Sequence, residues 1–155
     1  MMLITCFNAS KVFSQNAKVG IYSGICDLQE PKGVQFEIFN IRNPDSSPKI
    51  ISLSQAEFEE IITEYLTDIN HSEYTRILIQ SIVRKDHVLC IKGINANEEL
   101  ELSKFNGLIN FMNEELMVQA GTFYERGSVH CYINTIVELS EGHVESIEHQ
   151  SYYFN

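Results

Sequence analysis

Apolar residues recur along this chain with two periods, one of two residues and one of between three and four. The period of two marks strands. "VGIYSGICDL" (19–28) is dense in apolar and β-branched residues, and "VQFEIFNIR" (34–42) alternates, with Val34, Phe36 and Ile38 on one face. The phase slips at Phe39 and Ile41, which predicts a bulge or burial on both faces. "EPKG" (30–33) reads as a turn, "NPDSSP" (43–48) as a loop and "KIISL" (49–53) as a short strand. "TRILIQSIV" (75–83) and "HVLCIKGI" (87–94) read as strands joined at "RKD". "NAN" (95–97) reads as a turn and "ELEL" (99–102) as a short alternating strand. The clearest strand is "SVHCYINTIVEL" (128–139). Val129, Cys131, Ile133, Val137 and Leu139 share one of its faces, and His130, Tyr132, Asn134 and Glu138 share the other. "SEGH" then turns, and "VESIEH" and "SYYF" add two more strands.

The longer period marks two helices. Ser54 and Glu57 form a capping box, in which each side chain satisfies a free backbone amide of the other. Phe58, Ile61, Ile62, Tyr65 and Leu66 follow at helical spacing, with an end near Asp68. A second helix starts at Ser103, or alternatively at Asn97 because "NEELEL" tolerates either state, with Phe105, Leu108, Ile109, Met112 and Leu116 as its apolar stripe and Gly121 as its stop. The motif "LS" precedes both helices, but the two stripes are out of phase, so the pattern is not a duplication. These elements predict an α+β fold: one domain over 1–155, mostly antiparallel β-sheet, with two amphipathic helices packed on one face.

Composition fits that reading. The 155 residues suit one domain, and 44% of them are hydrophobic. Such a length buries roughly 70% of the unfolded surface, so the core needs no staples. No stretch approaches the ~20 apolar residues of a membrane span. "MMLITCF" has no basic region and too short an apolar run for a secretory signal, which makes the expected location cytoplasmic. Cys6, Cys26, Cys90 and Cys131 have apolar neighbours and no paired spacing, so all four are expected reduced and structural. His130 beside Cys131 suggests a base and nucleophile, but neighbours on a strand point to opposite faces.

Charge alters the picture more. The net charge is −10, and it is unevenly spread. Residues 1–92 carry nine Lys/Arg against eleven Asp/Glu, a net of −2. Residues 93–155 carry two against ten, a net of −8. That field repels nucleic acid and anionic membrane and attracts basic partners. It is densest in "IVELSEGHVESIEHQ" (136–150), which has four glutamates, two histidines and no lysine or arginine. A single metal on His143, Glu145 and His149 is excluded by distance, because the two histidines lie ~20 Å apart along an extended strand. Glu138 with Glu145 as an acid and base pair needs a pocket that splits their pKa values. With a four-residue loop at 140–143, Leu139 faces Val144 and Glu138 faces Glu145. Like charges across a strand pair are destabilising, and a surface built to receive lysines and arginines accepts that cost. Tyrosines near this segment suit an interface.

No nucleotide, metalloprotease, hydrolase or calcium-loop motif is present. The expectation is therefore an acidic interaction protein without metal or other cofactor. Glu138, Glu141, Glu145, Glu148, Tyr132 and Tyr152 are its partner-binding residues. Its size and charge are those of bacterial immunity proteins that neutralise nuclease toxins, and of phage inhibitors that imitate DNA charge. Two alternatives stand beside it. "FEIFNIRNPDSSPKIISLSQAEFEEI" (36–61) resembles the strand–loop–strand–helix of PC4-like single-strand binders, which implies nucleic-acid binding. Such binders use a basic, aromatic groove, and here Arg42, Lys49, Arg76, Arg84, Lys85 and Lys92 would have to supply it. The other alternative is an enzyme or small-molecule binder whose site is assembled from distant residues.

Overall fold

The alternating segments pair into two sheets. Their strands are β1 (Gly20–Ile21), β2 (Lys49–Ile50), β3 (Arg76–Val83), β4 (Leu89–Ala96), β5 (Val118–Gln119), β6 (Cys131–Ser140), β7 (His143–Gln150) and β8 (Tyr153–Phe154). The larger sheet has the order β1-β4-β3-β6-β7 and is antiparallel at every pairing. The smaller has the order β5-β2-β8, with β8 parallel to β2. This computed structural model describes the backbone of residues 20–21 and, with side chains, residues 46–67, 69, 74–123 and 127–155. The turn at 30–33, the strand and bulge at 34–42, Cys6, Cys26 and Arg42 lie outside the described residues.

Helix α1 (Gln55–Thr67) starts where its capping box requires. The Ser54 backbone N–H donates to Glu57 Oε2 at 2.8 Å, and the Glu57 N–H donates to Ser54 Oγ at 3.3 Å. Phe58, Ile62 and Leu66 of its stripe are buried. The second helical segment is irregular: a 3₁₀ turn (Leu102–Phe105), a short helix α2 (Asn106–Asn110) and a π turn (Phe111–Glu115). Its expected stripe of Phe105, Leu108, Ile109, Met112 and Leu116 is buried throughout. Both helical segments cover one face of the larger sheet, where Ile77, Ile79, Ile94, Ile133 and Val137 complete a single apolar cluster. The fold is therefore α+β, mostly antiparallel, as the periodicity implied.

Three local expectations are corrected. "ELEL" is not a strand. Ser103 Oγ donates to Glu101 Oε1 at 3.1 Å, and Lys104 Nζ pairs with Glu101 Oε2 at 3.2 Å, so Glu101 anchors a helical turn that buries Phe105. "NAN" turns late, because Asn95 and Ala96 still belong to β4. Gly121 does not stop the helix, which gives way to β5 after Glu115. Gly121 is instead a close crossing. A Cβ there would lie 2.9 Å from the Ser46 carbonyl oxygen, 3.0 Å from Cys131 Sγ and 3.1 Å from Pro48 Cδ. Gly121→Ala must displace backbone, and it is expected to cost about 1–3 kcal/mol in urea unfolding. A loss within about 0.5 kcal/mol, the range of ordinary surface changes, counts against the crossing.

One disulfide departs from expectation. Cys131 is a buried free thiol, but Cys90 is disulfide-bonded. The apolar setting of Cys90 marks burial, which suits a half-cystine as well as a thiol.

Candidate partner-binding surface

The acidic segment forms the hairpin β6–β7 at the edge of the larger sheet. Its turn has two residues, not four. Glu141 (φ 50°) and Gly142 (φ 81°) are both left-handed, and Ser140 pairs with His143. Positive φ at both central positions defines a type I′ turn, whose twist matches the flanking strands. Glycine adopts that conformation without cost, and Glu141 carries the strain.

Leu139 faces Val144, as expected, but Glu138 does not face Glu145. The register shifts between Glu138 and Leu139, so Glu138 lies opposite Ser146 and Glu145 is the extra residue of a bulge. The apolar pattern requires this. In unbroken register Ser146 and Glu148 would point at the core and Ile147 would point out. The bulge sets Ile147 opposite Val137 and His149 opposite Thr135 on the inner face, and returns Glu148 to the outer face opposite Ile136. It also puts His143 and His149 on opposite faces, which removes the premise of their shared metal. Among the described residues, no three His, Cys, Asp or Glu side chains group as a metal site.

The six expected binding residues divide accordingly. Tyr132, Glu138 and Glu148 share the outer face of the sheet, away from the helices, by the pairings of β3, β6 and β7. Glu138 is not a spare charge there. It lies opposite Arg76, with Nε and Oε1 3.0 Å apart. The Tyr132 hydroxyl accepts from Lys92 Nζ at 2.6 Å, and the same ammonium lies 4.7 Å from the ring centroid. Glu141, Glu145 and Glu148 are exposed, and no ion pair holds them among the described residues. Tyr152 is only 4% exposed and faces inward. Tyr153 is the exposed tyrosine of this segment, at 64%. It shares the outer face of the smaller sheet with Ile51 and Met117 by register, and both of these are also exposed.

Tyr152 belongs to a buried polar chain that sequence reasoning missed. The Thr135 hydroxyl lies 2.7 Å from Tyr152 Oη, Tyr152 Oη lies 2.6 Å from His149 Nδ1, and His149 Nε2 lies 2.9 Å from Glu59 Oε1. One assignment of protons satisfies every link: Thr135 donates to Tyr152, Tyr152 donates to His149 Nδ1, and His149 Nε2–H donates to Glu59. Gln55 Nε2 steadies the same Glu59 oxygen at 2.7 Å. Phe58 and Phe154 flank the imidazole, with ring centroids 5.7 and 4.9 Å away. Burial holds the imidazole below its ordinary value of 6.5, against the pull of Glu59, and drives the tyrosine hydroxyl well above 10.0. The His149 side chain is 7% exposed, so this chain is closed to substrate and fastens α1 to the sheet edge. Glu59 looks like an outward helical charge, and no local signal pairs it with a histidine ninety residues away.

The thiol of Cys131 is pushed up by burial, which suits packing and not nucleophilic attack. His130 points elsewhere, with Nδ1 accepting from the Lys85 N–H at 3.3 Å. No helix among the described residues is long and apolar enough to cross a membrane. Comparison of the chain with protein-family models, with curated proteins and with solved structures finds no match.

Proposed function

We propose that this protein is an acidic interaction protein that binds and neutralises a basic partner, in the manner of an immunity protein or inhibitor against a nuclease-type or nucleic-acid-acting protein. One observation carries the reading. The β6–β7 hairpin presents Glu141, Glu145 and Glu148 to solvent with no ion pair to a cation among the described residues, on a chain whose last 63 residues have a net charge of −8. Burial of Tyr152 shifts the aromatic share of the surface to Tyr132 and Tyr153. A cytoplasmic location is the expectation from sequence, and the Cys90 disulfide weighs against it, because disulfides persist in oxidising compartments.

The test starts with the tagged chain purified from its host. A captured basic protein is assayed for nuclease activity with and without the added chain. Inhibition supports the proposal, and capture of nucleic acid or of nothing overturns it. The informative variant is Glu141→Lys, Glu145→Lys, Glu148→Lys, with Glu138 left in place because Arg76 already engages it. Exposed charges contribute about 0–1 kcal/mol each. The triple variant is therefore expected to weaken binding by roughly tenfold at low salt, mostly through slower association, and by less at high salt. Unchanged affinity in a correctly folded triple variant makes the hairpin plain solvated surface.

A further inference from the structure

An open groove of about 380 Å³ runs between α1 and the π turn, lined by Ile61, Glu64, Tyr65, Phe111 and Glu115. Its walls are of two kinds. Tyr65 and Phe111 stand with ring centroids 5.8 Å apart and planes tilted by 35°. Glu64 and Glu115 are exposed and are bound by no cation among the described residues. Tyr65 is placed there by Gly107, where a Cβ would lie 2.9 Å from Tyr65 Cε1, so helix α2 approaches the ring as closely as a glycine allows.

We propose that this groove receives an arginine side chain of the basic partner. Aromatic faces attract a cation, and they attract a planar guanidinium most readily because it can stack on them. The edge of the same guanidinium offers paired N–H donors to carboxylates. A groove in which the half-buried Tyr65 ring, backed by the buried Phe111, stands beside two carboxylates meets both needs at once, and Ile61 offers an apolar contact for the methylene stem. The volume lies near the lower end of small-ligand pockets, which suits one long side chain. The proposal rests on the reading of a basic partner and sharpens it. The groove shares no residue with the hairpin, so variants at the two places fail separately.

The probe is N-acetyl-arginine amide, titrated into the full chain and followed by amide and methyl NMR shifts. N-acetyl-citrulline amide is the neutral control and N-acetyl-lysine amide the competing cation. Arginine amide is expected to give saturable shifts centred on Ile61, Tyr65 and Phe111, with affinity about threefold or more above lysine amide and no saturation with citrulline. Glu64→Gln with Glu115→Gln, both exposed and isosteric, is expected to weaken it about tenfold. Tyr65→Leu is expected to weaken it about threefold. Shifts centred on Glu141, Glu145 and Glu148, equal binding of lysine amide or citrulline amide, or affinity unchanged in the double variant each overturn the assignment. None of these outcomes depends on whether a partner protein is captured.

Discussion

Phe58→Ala is expected to lower the free energy of unfolding by about 3–5 kcal/mol. Phe58 is fully buried in α1. Its ring lies 5.4 Å from Phe154 and 5.7 Å from His149, centroid to centroid, so truncation opens a hole at the junction of helix, β7 and β8. Two costs add there: the lost transfer of the ring from water, and a cavity that the surroundings fill only in part. Phe154 belongs to a strand held in parallel pairing by β2, and His149 is held by hydrogen bonds at both nitrogens, so neither is free to collapse inward. Urea unfolding monitored by circular dichroism measures the loss. Tyr153→Ala, at an exposed ring two residues beyond Ser151, is the control and should stay within about 0.5 kcal/mol of the parent. A loss below about 1 kcal/mol for Phe58→Ala would mean that α1 does not pack on the sheet through this ring.

Tyr152→Phe is expected to cost about 1–3 kcal/mol. The substitution keeps the buried ring and removes one oxygen, which leaves the Thr135 hydroxyl and His149 Nδ1 without the partner that each now has at 2.7 and 2.6 Å. Unmet buried groups cost more than the net worth of a made bond, so the loss should exceed that of a surface hydroxyl. The dependence on pH is the sharper readout. Folding keeps His149 neutral, while the unfolded imidazole takes up a proton near its ordinary value of 6.5. The unfolded state then binds more protons, so the contribution of His149 is complete above pH 6.5 and is lost as pH falls toward the depressed folded value. Tyr152 behaves in the opposite sense. Its folded hydroxyl is raised, so its contribution is complete below 10.0 and is lost as pH rises beyond that, when the unfolded phenol ionises. Tyr152→Phe should flatten the alkaline limb of the stability curve and leave the acid limb. His149→Gln should reduce the acid limb, with a remainder from His130, whose imidazole burial also lowers. Identical limbs in parent and variants would show that the polar chain does not titrate with folding.

Much of this architecture is local and was legible without coordinates. The capping box at Ser54 and Glu57 needs only neighbouring backbone amides, and it forms as the spacing demands. The stripes of α1 and of the second helical segment, and the inner face of β6, follow from periodicity alone, because burial selects apolar residues at a fixed repeat. The acidity of the last third is a property of composition and is independent of the fold.

The tertiary structure decided everything that depends on register or on approach between distant segments. Pairing of β6 with β7 was set by which residues must face the core, and a bulge at Glu145 satisfied Ile147 and His149 at the expense of regular alternation. That one extra residue dissolved the Glu138–Glu145 confrontation, while the separate pairing of β3 with β6 set Arg76 opposite Glu138. Gly121 could be read as a helix stop until Ser46, Pro48 and Cys131 were seen to crowd it. Tyr152 could be read as an interface ring until the left-handed turn at Ser151 (φ 70°) brought it inward to Thr135 and His149. The polar chain to Glu59 and the groove of Tyr65, Phe111, Glu64 and Glu115 each join segments far apart in sequence. Local propensity carries no information about such meetings, since they are fixed by packing of the whole core and not by any spacing along the chain.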